Sequence, residues 1–278
     1  MASTKKGVEN FLDNSPVATL IEVAEAKGST PREKGAWMLV SPTATFGTIG
    51  GGQLEFMAIA RAREAIVSSA SPAREHEAPS VSLDIPLGPE IGQCCGGRVE
   101  LSIRHVDAGL RDELIETATS EDAAYPHVYL FGGGHVGHAL ASALSLLPLK
   151  VTVVETRADA LEGMPEAVTT RLTPMPEEAV RAAPAGSAFV VLTHDHALDF
   201  LIVGEALKRP DAAYVGMIGS KTKKATCKSW YLKTAGGTEE EFARLVSPIG
   251  GSTLRDKRPA VIAALAAAEI MTALAKPE

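Results

Sequence analysis

Between Tyr125 and Arg157 the chain reads Tyr-Pro-His-Val-Tyr-Leu-Phe-Gly-Gly-Gly-His-Val-Gly-His-Ala-Leu and closes in Val-Thr-Val-Val-Glu-Thr-Arg. No other stretch limits the fold so tightly. His127 to Phe131 is a β-branched and aromatic run of the kind that forms a buried strand, and Gly132-Gly133-Gly134 breaks it. Ala139, Leu140, Ala143, Leu144 and Leu147 then recur at helical spacing, Pro148 closes the segment, and Lys150 to Val154 resumes as a second strand. The pattern predicts a βαβ unit.

Within it Gly132, Gly134 and Gly137 fit a dinucleotide fingerprint: one glycine permits the tight turn, one lets backbone approach a phosphate, and one lets helix and strand pack closely. The helix start offers unpaired N–H groups and a positive dipole end, so these glycines and His135 are candidate cofactor contacts. Glu155, at the tip of the second strand, is placed to accept ribose hydroxyl bonds. The competing reading is a nucleotide-type fold whose glycines serve only the turn.

The 278 residues suffice for two domains, and the pattern divides them at 1–123 and 124–278. The expected class is α/β, with a C-terminal Rossmann-like doubly wound parallel sheet and a smaller N-terminal α+β domain. A formal charge of −7 argues against a surface that neutralises a phosphate backbone, so no nucleic-acid partner is expected. Lys5 and Lys6 precede no apolar stretch, and the apolar runs 139–149 and 260–275 are too short or interrupted for a bilayer. Three cysteines, two of them adjacent, suit a reducing compartment. The expectation is a cytoplasmic protein without a membrane partner and, on the commonest symmetry, a homodimer.

In the first half, Val17 to Ala24, Trp37 to Val40, Val81 to Ile85 and Val99 to Ile103 read as strands, a helix follows Gly50-Gly51-Gly52-Gln53-Leu54-Glu55, and another spans Leu110 to Thr119. Glu121 to Tyr125 reads as the linker. The loop from Gly28 to Gly35 places Arg32 beside a rigid proline, which is either a plain turn or an anion contact. Three consecutive glycines at 50–52 leave amides bare ahead of a helix; they hold an oxyanion or serve a close domain contact.

Gln93-Cys94-Cys95-Gly96-Gly97 is the most pointed chemical signal of this half. A disulfide between neighbours strains the chain, and the flanking glycines expose amides that can lower a thiol pKa or bind an anion. Two small core residues would explain the pair as well. Cys227 is distant and completes no zinc spacing.

In the second half, Val168 to Leu172, Ala188 to Leu192 and Ala212 to Val215 read as further strands. In a doubly wound sheet ligands lie outside the strands' carboxyl ends, so His194 and Asp195 are candidates for contact or proton transfer, while His196 and Asp199 start the helix through Lys208. Gly216-Met217-Ile218-Gly219-Ser220 forms another glycine-bearing strand end; Gly219 and Ser220 are candidate contacts, and Ser220 also suits a helix cap. Lys221, Lys223 and Lys224 read as a solvated face. Pro259 opens an alanine-rich helix to Leu274.

Taken with Phe131-Gly-Gly-Gly-His-Val-Gly137, Thr193-His-Asp-His-Ala-Leu-Asp199 and Ser247-Pro-Ile-Gly250, these motifs resemble the XdhC/CoxI family of xanthine dehydrogenase accessory proteins along nearly the whole chain. The resemblance implies a carrier of the molybdenum cofactor (molybdopterin) that works with a cysteine desulfurase in exchanging a molybdenum oxo for a sulfido ligand and delivers the product to a xanthine dehydrogenase apoenzyme. It implies a thiol of Cys94 or Cys95 near the metal, and anion contacts from Gly50–Gly52 and Gly132–Gly137 on two sides of a cleft. The family commonly has alanine where this chain has Gly133 and aspartate where it has Glu155. Two other functions share the residues: an NAD(P)-dependent oxidoreductase with His194 as proton carrier, and a non-catalytic adaptor with a vestigial nucleotide site.

Overall fold

The computed structural model describes residues 5–69, 81–88, 96–251, 254 and 256–275. The chain divides into two compact units, Met1–Ala124 and Tyr125–Glu278.

The first unit is an antiparallel sheet covered on both faces. Its helices are α1 (Lys5–Asp13), α2 (Gly52–Ser69) and α3 (Ala108–Ala124), and its strands β1 (Thr19–Lys27), β2 (Trp37–Val40), β3 (Thr45–Gly47), β4 (Val81–Pro86) and β5 (Arg98–His105). They lie in the order β3-β2-β1-β5-β4. Ile21, Val23, Met38 and Leu101 face Leu54, Ala58 and Ala62 of α2. Leu20 and Leu39 face the other way, onto Val8 and Leu12 of α1 and Leu110, Leu114 and Ala118 of α3. The alternation of strand side chains thus supplies two cores, one per face.

Two expectations change here. Strand β1 runs past Ala24 to Lys27, because β5 continues to pair with it until Lys27 meets Arg98. Glu121 to Ala124 is the last turn of α3, so the expected linker at 121–125 is helix until its final residue. Alanine and acidic residues sustain that turn, and the Lys5 N–H donates to Asp122 Oδ2 at 2.9 Å, tying the end of α3 to the start of α1.

The second unit is α/β and doubly wound. Its strands are β6 (His127–Phe131), β7 (Lys150–Glu155), β8 (Thr169–Leu172), β9 (Ala188–Val191), β10 (Tyr214–Met217) and β11 (Leu245–Val246). All pair in parallel in the order β11-β10-β9-β6-β7-β8. The helices are α4 (His135–Leu144), α5 (Glu177–Ala182), α6 (His196–Leu207), α7 (Lys221–Lys233), α8 (Glu239–Ala243) and α9 (Pro259–Leu274). Val128, Leu130 and Val190 face α4 and α9 through Leu140, Ala141 and Ile270. Phe131, Phe189 and Val191 face the opposite way, onto Val180, Ile202, Val203 and Tyr231. Strands buried on both faces explain the unbroken apolar runs of the sequence.

Strand β10 begins two residues later than the pattern predicts and takes in Gly216 and Met217. A Cβ on Gly216 would stand 2.5 Å from the Tyr214 ring and 2.8 Å from Ile249, so this glycine serves packing inside the strand. Lys223 and Lys224 also depart from the expected solvated face: Lys223 pairs with buried Asp199, and Lys224 Nζ donates to Leu245 O at 3.0 Å.

The glycine turn after β6 separates packing from access. A Cβ on Gly137 would lie 2.1 Å from Gly132 O, whereas one on Gly134, at φ −74°, would meet no atom of the described residues within 4 Å. Gly137→Ala should therefore cost about 1–3 kcal/mol through overpacking, and Gly134→Ala under about 1 kcal/mol. Chemical denaturation of both variants checks the contrast; equal losses would contradict it.

Candidate functional site

The chain leaves β6 towards β7 on one side and returns at β9 on the other, so the topological switch point lies between the carboxyl ends of β6 and β9. Ligands of doubly wound sheets enter there. Gly132 makes the turn at φ +121°, where a Cβ would stand 2.7 Å from Leu192 O of the loop after β9. Gly137 allows α4 to pack against the turn, and Gly134 presents open backbone at the helix start. His135 is exposed in the first turn of α4. Gly133, which the fingerprint does not assign, is equally constrained: its Cβ would lie 2.2 Å from Ala160 O.

Glu155 sits at the tip of β7, as expected, but its carboxylate already has protein partners. Oε2 accepts from Gly133 N at 2.8 Å, and Oε1 accepts from Thr156 N at 2.8 Å and Arg157 N at 3.2 Å. Burial would raise its pKa, yet the Gly133 N–H, the Arg157 guanidinium and the Thr156 N–H together lower it to about 2. The acid is an ionised clamp on the glycine loop.

After β9, Asp195 caps α6, with Oδ1 accepting from Ala197 N at 2.8 Å and Leu198 N at 3.3 Å; these N–H groups hold its carboxyl below the ordinary range. His194 is exposed beside it. Asp199 lies in the first turn of α6 as expected, but sequence reading missed its burial: it is fully buried, and its Oδ1 accepts from Thr193 N at 3.2 Å and lies 2.7 Å from Thr193 Oγ1. Its Oδ2 pairs with Lys223 Nζ, which also donates to Ile218 O at 3.1 Å. An acid set between Leu198 and Phe200 in an apolar helical run was the available signal of burial. Ser220 caps α7 by accepting from Lys223 N at 3.2 Å, and a Cβ on Gly219 would press 2.7 Å from Lys223 Cδ. These two candidates are thereby engaged in seating α7 and Lys223.

In the first unit the loops after β1 and β3 and the base of the β4–β5 loop share one edge of the sheet, because β1, β3 and β4 end where β2 and β5 begin. A Cβ on Gly50 would stand 2.6 Å from Pro31 Cγ, and one on Gly97 only 2.3 Å from Ser29 O. The 28–35 loop therefore touches both the Gly50–Gly52 turn and the Gly96–Gly97 end of the cysteine motif. Leu87 N donates to Gly97 O at 2.8 Å and closes the base of that loop. Glu55 Oε2 accepts from Thr48 Oγ1 at 2.6 Å, Gly51 N at 3.0 Å and Ile49 N at 3.2 Å, so this candidate contact also braces a glycine turn. Gly52 and Gln53 are exposed on α2, and Arg32 and Lys34 line a cleft with Trp37 and Thr48. Gln93, Cys94 and Cys95 lie outside the described residues. Cys227 is buried in the second unit, and burial raises its thiol to about 11.

Among the described residues no three His, Cys, Asp or Glu side chains gather as a metal-binding group, and no helix is long and apolar enough to cross a membrane.

The clamp of Glu155 has a pH signature. Because folding lowers its pKa from the ordinary 4.5 to about 2, its stabilisation is complete above pH 4.5 and is lost as pH falls towards 2. Glu155→Gln should cost about 1–3 kcal/mol at pH 7, and the gap from the parent should narrow on acidification through that window. Urea denaturation across the range reads it; a pH-independent gap would contradict the assignment.

Comparison with known proteins agrees with this architecture. Residues 128–270 match the XdhC Rossmann domain, and residues 13–76 match the XdhC and CoxI family. The uncharacterized protein YqeB of Escherichia coli K12 is 25% identical over 260 residues, which make up 93% of this chain and 43% of that protein. This chain thus spans less than half the length of that curated relative. A crystal structure from Bacillus halodurans, described as a xanthine dehydrogenase, has the same fold, with a TM-score of 0.78 and 16% identity over 98% of this chain and 96% of that one. With more than half of its residues matched by the Rossmann-domain model and its first unit matched separately, the chain belongs to the XdhC/CoxI family.

Proposed function

We propose that this protein is a xanthine dehydrogenase accessory protein that binds the molybdenum cofactor as cargo, holds it while a cysteine desulfurase provides the sulfido ligand that replaces an oxo group, and passes it to the apoenzyme. The observation that carries the reading is the meeting of the 28–35 loop, the Gly50–Gly52 turn and the Gly96–Gly97 base of the cysteine loop on one sheet edge. Family membership supports the accessory role, and the structural relative described as a xanthine dehydrogenase points to the same enzyme class.

The chemistry of the cargo suits the residues. Its terminal phosphate suits bare backbone at a helix start, such as that of Gly134 ahead of α4. Its molybdenum accepts soft sulfur ligands, which assigns a role to Cys94 or Cys95 and none to buried Cys227. The rival reading is an NAD(P)-dependent oxidoreductase. The position of Glu155 beside the glycine loop favours it, whereas the cysteine motif has no part in it.

One experiment separates them. The purified protein is incubated with molybdenum cofactor released from a denatured molybdoenzyme, passed through gel filtration, and assayed for molybdenum and pterin. Retention near about one cofactor per chain is expected, lowered by about tenfold or more in the Cys94→Ala/Cys95→Ala double variant and abolished in Gly134→Val. Undiminished retention by the double variant would remove the cysteines from the site. No retention, with tight binding of a nicotinamide dinucleotide, would replace the carrier by the oxidoreductase.

A further inference from the structure

We propose that Asp199 and Lys223 are a positioning pair for the crevice of the second unit: their ion pair sets the spacing between the loop after β9 and the loop after β10, and thereby the shape of the site beside the glycine turn. The inference rests on the carrier reading only in taking that crevice as the place where cargo binds.

Both charges are withdrawn from water, with the Asp199 side chain 0% and the Lys223 side chain 9% exposed. Replacing such a pair by apolar groups of similar size is often neutral or stabilising, so folding alone gives little reason for it. Its geometry gives one. A continuous line of bonds runs from Thr193 N into Asp199 Oδ1 at 3.2 Å, across the carboxylate to Lys223 Nζ, and from Nζ to Ile218 O at 3.1 Å. The line begins on the backbone of one strand-end loop and ends on the backbone of the next. Thr193 Oγ1 lies 2.7 Å from Asp199 Oδ1 and accepts from Asp195 N at 3.1 Å, so the same line reaches the segment that carries exposed His194.

The loop after β10 is shaped to admit the lysine. A Cβ on Gly219 would stand 2.7 Å from Lys223 Cδ and 3.3 Å from its Cβ and Cγ, so glycine is what lets the side chain fold back over the loop. Lys223 is also the residue whose N–H the Ser220 cap holds, at 3.2 Å. On the other side, Leu192 N donates to Phe131 O at 2.8 Å, and Leu192 O faces the position that a Cβ on Gly132 would occupy. The pair therefore acts one loop away from the fingerprint turn. Asp199 and Lys223 act on the ligand through Thr193–Asp195 and Ile218–Ser220.

The test is the neutral double variant Asp199→Leu/Lys223→Met, which leaves no buried charge unpaired. Thermal unfolding reports whether it folds, hydrogen exchange reports loop opening without ligand, and gel filtration with released molybdenum cofactor reports binding. The thermal midpoint should fall by no more than about 10 °C through loss of the Thr193 bonds, exchange at the 195 and 223 amides, which Thr193 Oγ1 and Ser220 Oγ hold, should rise by about tenfold or more with 132–134 unchanged, and cofactor retention should fall by about tenfold. Parent-like exchange at 195 and 223 or parent-like retention in the folded double variant overturns the proposal. Should the double variant not fold, Lys223→Arg serves: it keeps the charge but lengthens the line of bonds, so retention should fall while the midpoint holds, and unchanged retention overturns the proposal. If the parent itself retains no cofactor, the carrier reading falls, and the exchange of the two loops decides the positioning pair by itself.

Discussion

A carboxylate bonded to backbone N–H groups braces the turns from β3 into α2, from β6 into α4 and from β9 into α6. Glu55 takes Ile49 N and Gly51 N, Glu155 takes Gly133 N, Thr156 N and Arg157 N, and Asp199 takes Thr193 N. Glycine-rich turns have the largest conformational entropy to lose on folding and carry amides that neighbouring secondary structure does not satisfy. An ionised acceptor meets both problems, since a hydrogen bond to a charged group contributes about 1.5–3 kcal/mol and fixes the loop in one geometry. The loops are thus organised by the protein's own groups, which would reduce the ordering cost of any ligand that binds there.

The same arrangement divides the glycines by task. Gly97, Gly133, Gly137 and Gly216 are glycine because a neighbouring backbone or ring fills the space a Cβ would need. Gly219 is glycine because a lysine lies across it. Within the β6–α4 turn Gly134 differs from its neighbours, since a Cβ there would meet nothing among the described residues within 4 Å and its φ of −74° is open to any residue. Neither packing nor backbone strain requires glycine at 134, the N-cap of α4, where glycine is a favoured residue and leaves the backbone open. A glycine-rich motif read as a phosphate cradle is therefore mostly a packing device with one open position.

Much of this was legible in the sequence, and what was not has a common cause. The β6–α4–β7 unit and α9 came through because strands buried on both faces and a proline-opened apolar helix leave unambiguous patterns. Helix α1 buries only Val8 and Leu12, too few positions to set a period. Strand β10 was misplaced by two residues because Gly216 reads as a turn until the Tyr214 ring and Ile249 are seen against it. Lys223 looked like a solvated lysine because its partner lies 24 residues away on another helix. The cap roles of Asp195 and Ser220 were local and therefore readable in principle, whereas the roles of Glu55 and Glu155 as clamps depend on how the turns fold back on them. Local chemistry survives in a sequence; a buried pair between distant elements does not.

The distribution of sulfur follows the same physics. Cys227 sits in an apolar core beside Asp199, and desolvation with that negative charge raises its thiol to about 11. A buried thiol raised in this way stays protonated at neutral pH, so it is inert as a nucleophile or soft metal ligand. Any sulfur chemistry of this chain falls to Cys94 and Cys95. On the described side of that motif, the Gly97 carbonyl is held by Leu87 N, and a Cβ on Gly97 would stand 2.3 Å from Ser29 O. The described end of that motif shares its end of the sheet with a glycine turn whose Gly50 and Gly51 amides are already taken by Thr48 and Glu55, so the protein itself fixes the turn's geometry.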